Sequence, residues 1–351
     1  KRAVETTEQP LLIVAGPGSG KTFTLTERIV NIILKKSVQP ENILISTFTE
    51  KAAKEILTRI SNKILEYDLK LNVNDFYTGT LHSIFLRLID EHLEYSVFKR
   101  SYSILDDFDQ KYYVYRHVYG IFKKIPELAD YIKARGQWDR ASSLIGIFNK
   151  FTEENIDVSL LAESADEELQ AYAKVYDYYY HLMIEENCID FALIEKEFYR
   201  IITEHPEVLE AIQNKIEYFM IDEYQDTNTL QELILLKLAS KSKKICVVGD
   251  DDQSLYRFRG ATVRNILEFS QKFSNCVVVK LETNYRSHDK IIDFYNDYIK
   301  SKSWDKDGTS FRHEKTIQAP EDKHFDDYPS VLKLMVEEEV VWNQEVLEFI
   351  Q

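Results

Sequence analysis

Five short apolar runs punctuate the chain: Leu11–Ala15, Ile43–Ser46, Tyr218–Asp222, Ile245–Gly249 and Val277–Leu281. Each is β-rich, apolar on both faces and followed by polar or turn residues, the pattern of a strand buried in a parallel sheet. Between the runs the period changes. Leu25, Ile29, Ile32 and Ile33 recur at helical spacing over Lys21–Lys36, and Ala53, Ile56, Leu57, Ile60 and Ile64 do so over Glu50–Tyr67. Strands alternating with helices predict a doubly wound α/β sheet.

The third run arrives late. Asp222 lies 140 residues beyond His82, whereas one strand–helix–strand unit needs about 30 residues. The intervening sequence is poor in glycine and rich in Tyr, Glu, Lys and Leu. It predicts a helical insertion over 107–190 that splits one α/β domain into 1–106 and 191–276. Its tyrosines (Tyr112, Tyr113, Tyr115 and Tyr119; Tyr176, Tyr178, Tyr179 and Tyr180) suit helix packing and surface more than base stacking. Around Gly308, Pro320 and Pro329 the chain turns polar and reads as a linker. Val331–Val336 then reads as a strand and Val340–Gln351 as a helix, so a second α/β domain from 277 is expected to begin without finishing. The opening Lys1-Arg2-Ala3-Val4 lacks Met, which fits a trimmed start, and no signal peptide is expected.

Composition narrows the class. Hydrophobic residues are 44% of a 351-residue chain, enough to build a core and too long for one ordinary domain. No apolar run approaches the roughly 18 residues of a membrane span, so no membrane association is expected. Cys188, Cys246 and Cys276 are scattered, with no paired spacing, which disfavours a disulfide framework, a zinc site or a cluster and fits the cytoplasm. The net charge of −15 argues against a protein that coats nucleic acid. It leaves room for a local site.

The residues that carry chemistry cluster at strand ends. Ala15, Gly16, Pro17, Gly18, Ser19, Gly20, Lys21 and Thr22 follow the first strand and open a helix. This is a P-loop. Its glycines turn backbone N–H groups toward phosphate, Lys21 reaches the β/γ-phosphates of ATP, and the Thr22 hydroxyl can ligate Mg²⁺. Asp222 and Glu223 end an apolar strand. One carboxylate can hold Mg²⁺ and the other can orient or deprotonate water; alone, such a strand end is as readily a solvated one. Asp250, Asp251 and Asp252 end another strand and cap, bind cations or face solvent, with Asp251 by itself read as a solvated turn. Gln253 could sense a γ-phosphate. The alternation Tyr256-Arg257-Phe258-Arg259 suits stacking on bases with phosphate contact, and core packing by Tyr256 and Phe258 equally. Arg286 can act as a finger toward a γ-phosphate or lie on the surface.

In order and spacing these segments resemble superfamily 1 helicases of the UvrD/Rep/PcrA type, over essentially the whole chain. Residues 15–22 look like that family's first motif. Thr47 to Ala53 resembles its second segment, which contacts single-stranded DNA, and Gly79 to Ser83 resembles its Gly-Thr-Phe-His segment with Leu81 in place of Phe. Ile221 to Asn228, Val248 to Ala261 (Phe258 where Trp is common) and Leu281 to Ser287 are similar to its later signatures. The resemblance implies a RecA-like P-loop domain with a helical insertion, followed by the start of a second RecA-like domain. It implies that Lys21 and Thr22 bind phosphate and Mg²⁺, that Asp222 holds Mg²⁺ and that Glu223 activates water. Gln253 and Arg286 would contact the γ-phosphate, Tyr285 would stack on adenine, and Thr49, Thr80, His82, Tyr256, Phe258 and Arg259 would line the DNA track.

The implied activity is ATP-dependent 3′→5′ movement on single-stranded DNA and duplex junctions in repair or replication, with repair proteins as partners. Two alternatives stand beside it: the motor part of a recombination helicase–nuclease, and a nucleotide-switched DNA-binding module that does not unwind. Three departures matter. The family's adenine-reading Gln is expected before Lys1, and Phe23 stands where Arg often follows the P-loop Thr, so it packs in the core or stacks. The motifs of the second motor domain are missing, so this length of chain is expected to bind ATP without unwinding DNA.

Overall fold

The computed structural model describes residues 1–253, 263–306 and 309–321. The chain divides into two compact units, one formed by Lys1–Val14 with Lys21–Val279 and the other by Ala15–Gly20 with the chain from Lys280 onward. No described helix is long and apolar enough to cross a membrane.

The larger unit opens with α1 (Arg2–Glu5), β1 (Leu11–Ala15), α2 (Lys21–Lys36), β2 (Ile43–Ser46), α3 (Glu50–Glu66), β3 (Tyr77–Gly79) and α4 (Leu81–Glu91). Later in the chain it adds β6 (Tyr218–Ile221), α12 (Thr229–Ala239), β7 (Lys244–Gly249), α13 (Arg264–Glu268) and β8 (Val277–Leu281). The sheet order is β3-β2-β6-β7-β1-β8. Strands β3 to β1 in this order pair in parallel, with Leu44 opposite Tyr77 and Phe219, and Leu12 opposite Val247. Val277 N donates to Pro10 O at the β8 edge. Every residue of β1, β2 and β6 is buried, because helices cover both faces; hence the unbroken apolar runs. Leu25, Ile29, Ile32 and Ile33 of α2 and Ala53, Ile56, Ile60 and Ile64 of α3 are buried.

The segment between α4 and β6 is β4 (Ser103–Leu105), α5 (Asp107–Lys124), α6 (Leu128–Tyr131), α7 (Gln137–Glu153), α8 (Val158–Ala162), α9 (Glu167–Glu185), β5 (Cys188–Asp190), α10 (Phe191–Glu204) and α11 (Pro206–Lys215). It is mainly helical, apart from the parallel pair β4–β5. Tyr113, Tyr176 and Tyr179 are buried, and Tyr179 stacks on Phe148 with ring centroids 4.2 Å apart. Tyr112, Tyr115 and Tyr119 lie on the outside of α5. The tyrosine-rich pattern therefore divides between packing and surface.

In the smaller unit, the segment after β8 leads into α14 (Asp289–Lys300) and the antiparallel pair β9 (Asp305–Lys306) and β10 (Thr309–Ser310). Thr283 and Gln318 form a parallel bridge. The expected strand at Val331–Val336 and helix at Val340–Gln351 lie outside the described residues.

Candidate nucleotide site and nucleic-acid cleft

Lys21 is the first residue of α2, and Asp222 and Glu223 follow β6. The Asp222 N–H still donates to Ser46 O of β2 (2.9 Å), so sheet pairing continues to the end of the strand. Glu223 then adopts a left-handed backbone, φ 51°, which costs a non-glycine residue about 1–2 kcal/mol. Lys21 Nζ donates to Glu223 Oε2 at 2.8 Å. The same oxygen accepts from Gln225 Nε2 at 2.8 Å, and Gln225 Oε1 accepts from Asp250 N at 3.0 Å. Gln225 is buried and so joins the exits of β6 and β7. Gly249 makes this possible: a Cβ there would lie 2.4 Å from Gln225 Oε1 and 2.7 Å from Ile266 Cδ1.

Beyond Gly249, Asp250 accepts from Asp252 N at 3.2 Å and from the Gln253 side-chain amide. Asp250 and Asp251 are buried. This corrects the reading of Asp251 as a solvated turn: the triplet folds into a one-turn helix over Asp251–Gln253 and carries its own cap. Phe23 is 59% exposed, so it is not a core residue.

Burial, and then the neighbouring Glu223 carboxylate, push Asp222 up to about 6 against the opposing pull of Lys21. Burial and then Glu223 likewise push Asp226 up to about 6, again against the pull of Lys21. Asp226 Oδ1 is buried without a hydrogen-bond partner. Such a site gains from a cation. Among the described residues, no group of three or more His, Cys, Asp or Glu is arranged to hold a metal ion. The donor set fits Mg²⁺, which takes one or two carboxylates and completes its shell with phosphate and water. Asp222 and Asp226, both lining the cleft beside Glu223, are the carboxylates that could hold such an ion.

The smaller unit holds the rest of the P-loop. Gly18 and Gly20 have φ of 66° and 79°, values that favour glycine. Ser19 Oγ closes the loop on Gly16 O at 2.7 Å, and Gly16 N donates to Leu281 O at 3.1 Å. The Tyr285 N–H donates to Gly18 O at 3.0 Å. A Cβ on Gly18 would meet Asn284 Oδ1 at 2.4 Å and Arg286 Cβ at 2.8 Å. Tyr285 and Arg286 thus sit against the phosphate loop, both exposed.

Within the larger unit a cleft of about 660 Å³ is lined by Thr49, Thr80 and His82 together with Asp222 and Glu223. The amino ends of five helices open onto it: Thr49 caps α3, Thr80 caps α4 and Asn228 caps α12, and Asp107 and Phe191 begin α5 and α10. Each helix amino end carries N–H groups without an intrahelical partner, some of them taken up by the caps, and partial positive charge. No lysine or arginine lines the cleft among the described residues, while Glu50, Glu153, Glu195 and Asp226 do. Glu153 is pushed up to about 8, first by burial and then by Glu195, Glu154, Asp190 and Asp107. His82 faces the Phe191 ring, centroids 5.3 Å apart, and Phe48 completes an aromatic wall. Tyr256, Phe258 and Arg259 lie outside the described residues.

The UvrD/REP helicase N-terminal domain matches residues 1–274. The chain belongs to the UvrD/Rep helicase family. It is 37% identical to the ATP-dependent DNA helicase PcrA of Bacillus subtilis (strain 168) over 306 residues, 86% of this chain and 39% of that protein. It is 36% identical to the protein of the same name from Staphylococcus epidermidis over 301 residues, again 86% of this chain and 39% of the relative. The chain therefore spans about 39% of the length of the curated relatives it matches. The parallel α/β sheet is the architecture expected of a RecA-like helicase domain. Sequence reasoning named Asp222 and Glu223 but gave no role to Gln225, Asp226 or Glu195, whose surroundings are set by contacts between elements. The one signal available for Gln225 was its place between Glu223 and Asp226.

Proposed function

We propose that this chain is the first motor segment of an ATP-driven translocase that moves 3′→5′ along single-stranded DNA and opens duplex junctions in repair or replication. The observation that supports the proposal is that Glu223, bonded to Lys21 and Gln225, lines the same cleft as the helix amino ends at Thr49, Thr80 and Asn228. Lys21 neutralises phosphate charge. Glu223 accepts a proton from the attacking water as its oxygen bonds to the γ-phosphorus and the bond to the ADP oxygen breaks. Mg²⁺ on Thr22 and Asp222 supplies further charge compensation when bound. Gln253 and Arg286 read the γ-phosphate, and Tyr285 stacks on the adenine. Helix amino ends hold strand phosphates, while Phe48, His82 and Phe191 face the bases. The work is placed in the cytoplasm, on the nucleoid when DNA is bound.

The test is ATP turnover by the full-length protein alone, with single-stranded DNA and with single-stranded RNA. Stimulation by DNA supports the reading, and tailed duplexes then report polarity. Absence of stimulation by either replaces it with a nucleotide-switched binding module. Glu223→Gln is expected to keep nucleotide binding and lose about 100-fold or more in turnover; normal turnover would remove Glu223 from its role.

A further inference from the structure

Glu195 lies on α10, yet its carboxylate bonds to side chains of other elements. Oε1 accepts from His82 Nε2 at 2.7 Å and from Gln231 Nε2 at 2.6 Å, and Oε2 accepts from Asn228 Nδ2 at 2.8 Å. The residue is 0% exposed. A carboxylate this deep is held only by a full set of donors, so loss or movement of one donor must be answered by the others. The donors differ in what they can feel. His82 presents 32% of its side chain to the cleft. Asn228 and Gln231 are buried and form the capping box of α12.

From Asn228 the connection to the reacting carboxylate is short and bonded throughout. Thr227 Oγ1 donates to Tyr224 O at 2.8 Å, and Asp226 N donates to Glu223 O at 2.9 Å. Asn265 Nδ2 clamps the outer side, 3.1 Å from Thr227 Oγ1 and 3.2 Å from Asn228 O. A turn so braced moves as a body. A shift of Asn228 is therefore a shift of Glu223.

We infer that Glu195 is a positioning residue that transmits strand contact at His82 to the hydrolytic segment Asp222–Asn228. The inference rests on the proposed function. Glu195 does not touch the strand or the nucleotide; it fixes the separation between the group that meets one and the turn that carries the chemistry for the other. Its effect belongs in the maximum stimulation of turnover by DNA, more than in the DNA concentration needed for half of it.

The experiment is a double-mutant cycle on the full-length protein, with oligothymidylate as the strand: wild type, Glu195→Gln, His82→Ala and both together. The quantity read is the ratio of stimulated to unstimulated ATP turnover, with melting temperature and nucleotide affinity followed alongside. Each single variant is expected to lower the ratio about 5- to 150-fold, the span of typical coupling between sites, and the double variant is expected to fall no further than the worse single. If Glu195→Gln does not fold, Gln231→Met removes one donor and takes its place in the cycle with the same expectation. A wild-type ratio in the Glu195 or Gln231 variant overturns the inference, as do losses that multiply in the double variant. A wild-type protein that DNA does not stimulate overturns the proposed function itself and is seen before any variant is made.

Discussion

Single side chains set the tolerances of this site. Gly249 stands where any Cβ would collide with the Gln225 amide. Gly249→Ala is expected to push Gln225 off Glu223 and Asp250, lowering ATP turnover about 100-fold by misplacement while nucleotide affinity changes little; steady-state kinetics check it. Glu153 carries a different liability. Its folded carboxyl holds its proton to about 8, whereas its ordinary value is 4.5. The folded state therefore binds more protons between those values, and stability falls as pH rises through the interval. Glu153→Gln removes that slope, so its melting temperature should match wild type near about pH 5 and exceed it above about pH 8. The P-loop and Asp222-Glu223 could be singled out from the sequence because each is a run of consecutive residues at one strand end. Gln225 and Glu195 could not, because a buried amide or carboxylate takes its meaning from partners up to 113 residues away, as His82 is from Glu195.

Elements were read best where one pattern filled them. Unbroken apolar runs fill β1, β2, β6 and β7, and a helical period fills α2 and α3, whereas β8, expected to be buried on both faces, is an edge strand with Val278 and Lys280 exposed. Tyr77–Gly79 has only three residues, too few to show a period, and it exists because β2 offers it an edge. The pair β4–β5 is equally short. Helix α12 shows how an element's end serves the site. Asn228 caps it by accepting from Gln231 N at 2.8 Å and also donates to Glu195. Asn228→Ala should lose the cap, about 1 kcal/mol, and leave a buried carboxylate oxygen short of a donor, about 1–3 kcal/mol more. Urea unfolding should show the sum, and Asn228→Asp should keep the cap while failing to restore the donor.

Across the whole molecule the net charge is −15 and the described lining of the cleft has no Lys or Arg, so under the proposed function this cleft would hold a strand by dipoles and ring faces. Such contacts displace few counterions. Thr80→Ala should accordingly weaken oligothymidylate binding by the same factor at low and high salt, measured by titration; a loss that vanishes at high salt would point to ionic contacts instead. The sheet order has another consequence, for synthesis. Neither β1 nor β2 has its inner neighbour until β7 and β6 arrive, more than 170 residues after Ser46. At about 5–20 residues per second the ribosome leaves two apolar strands with open edges for on the order of 10–40 s. The mainly helical segment between α4 and β6 emerges during that wait, and its folding is what the nascent chain can accomplish before the sheet can close.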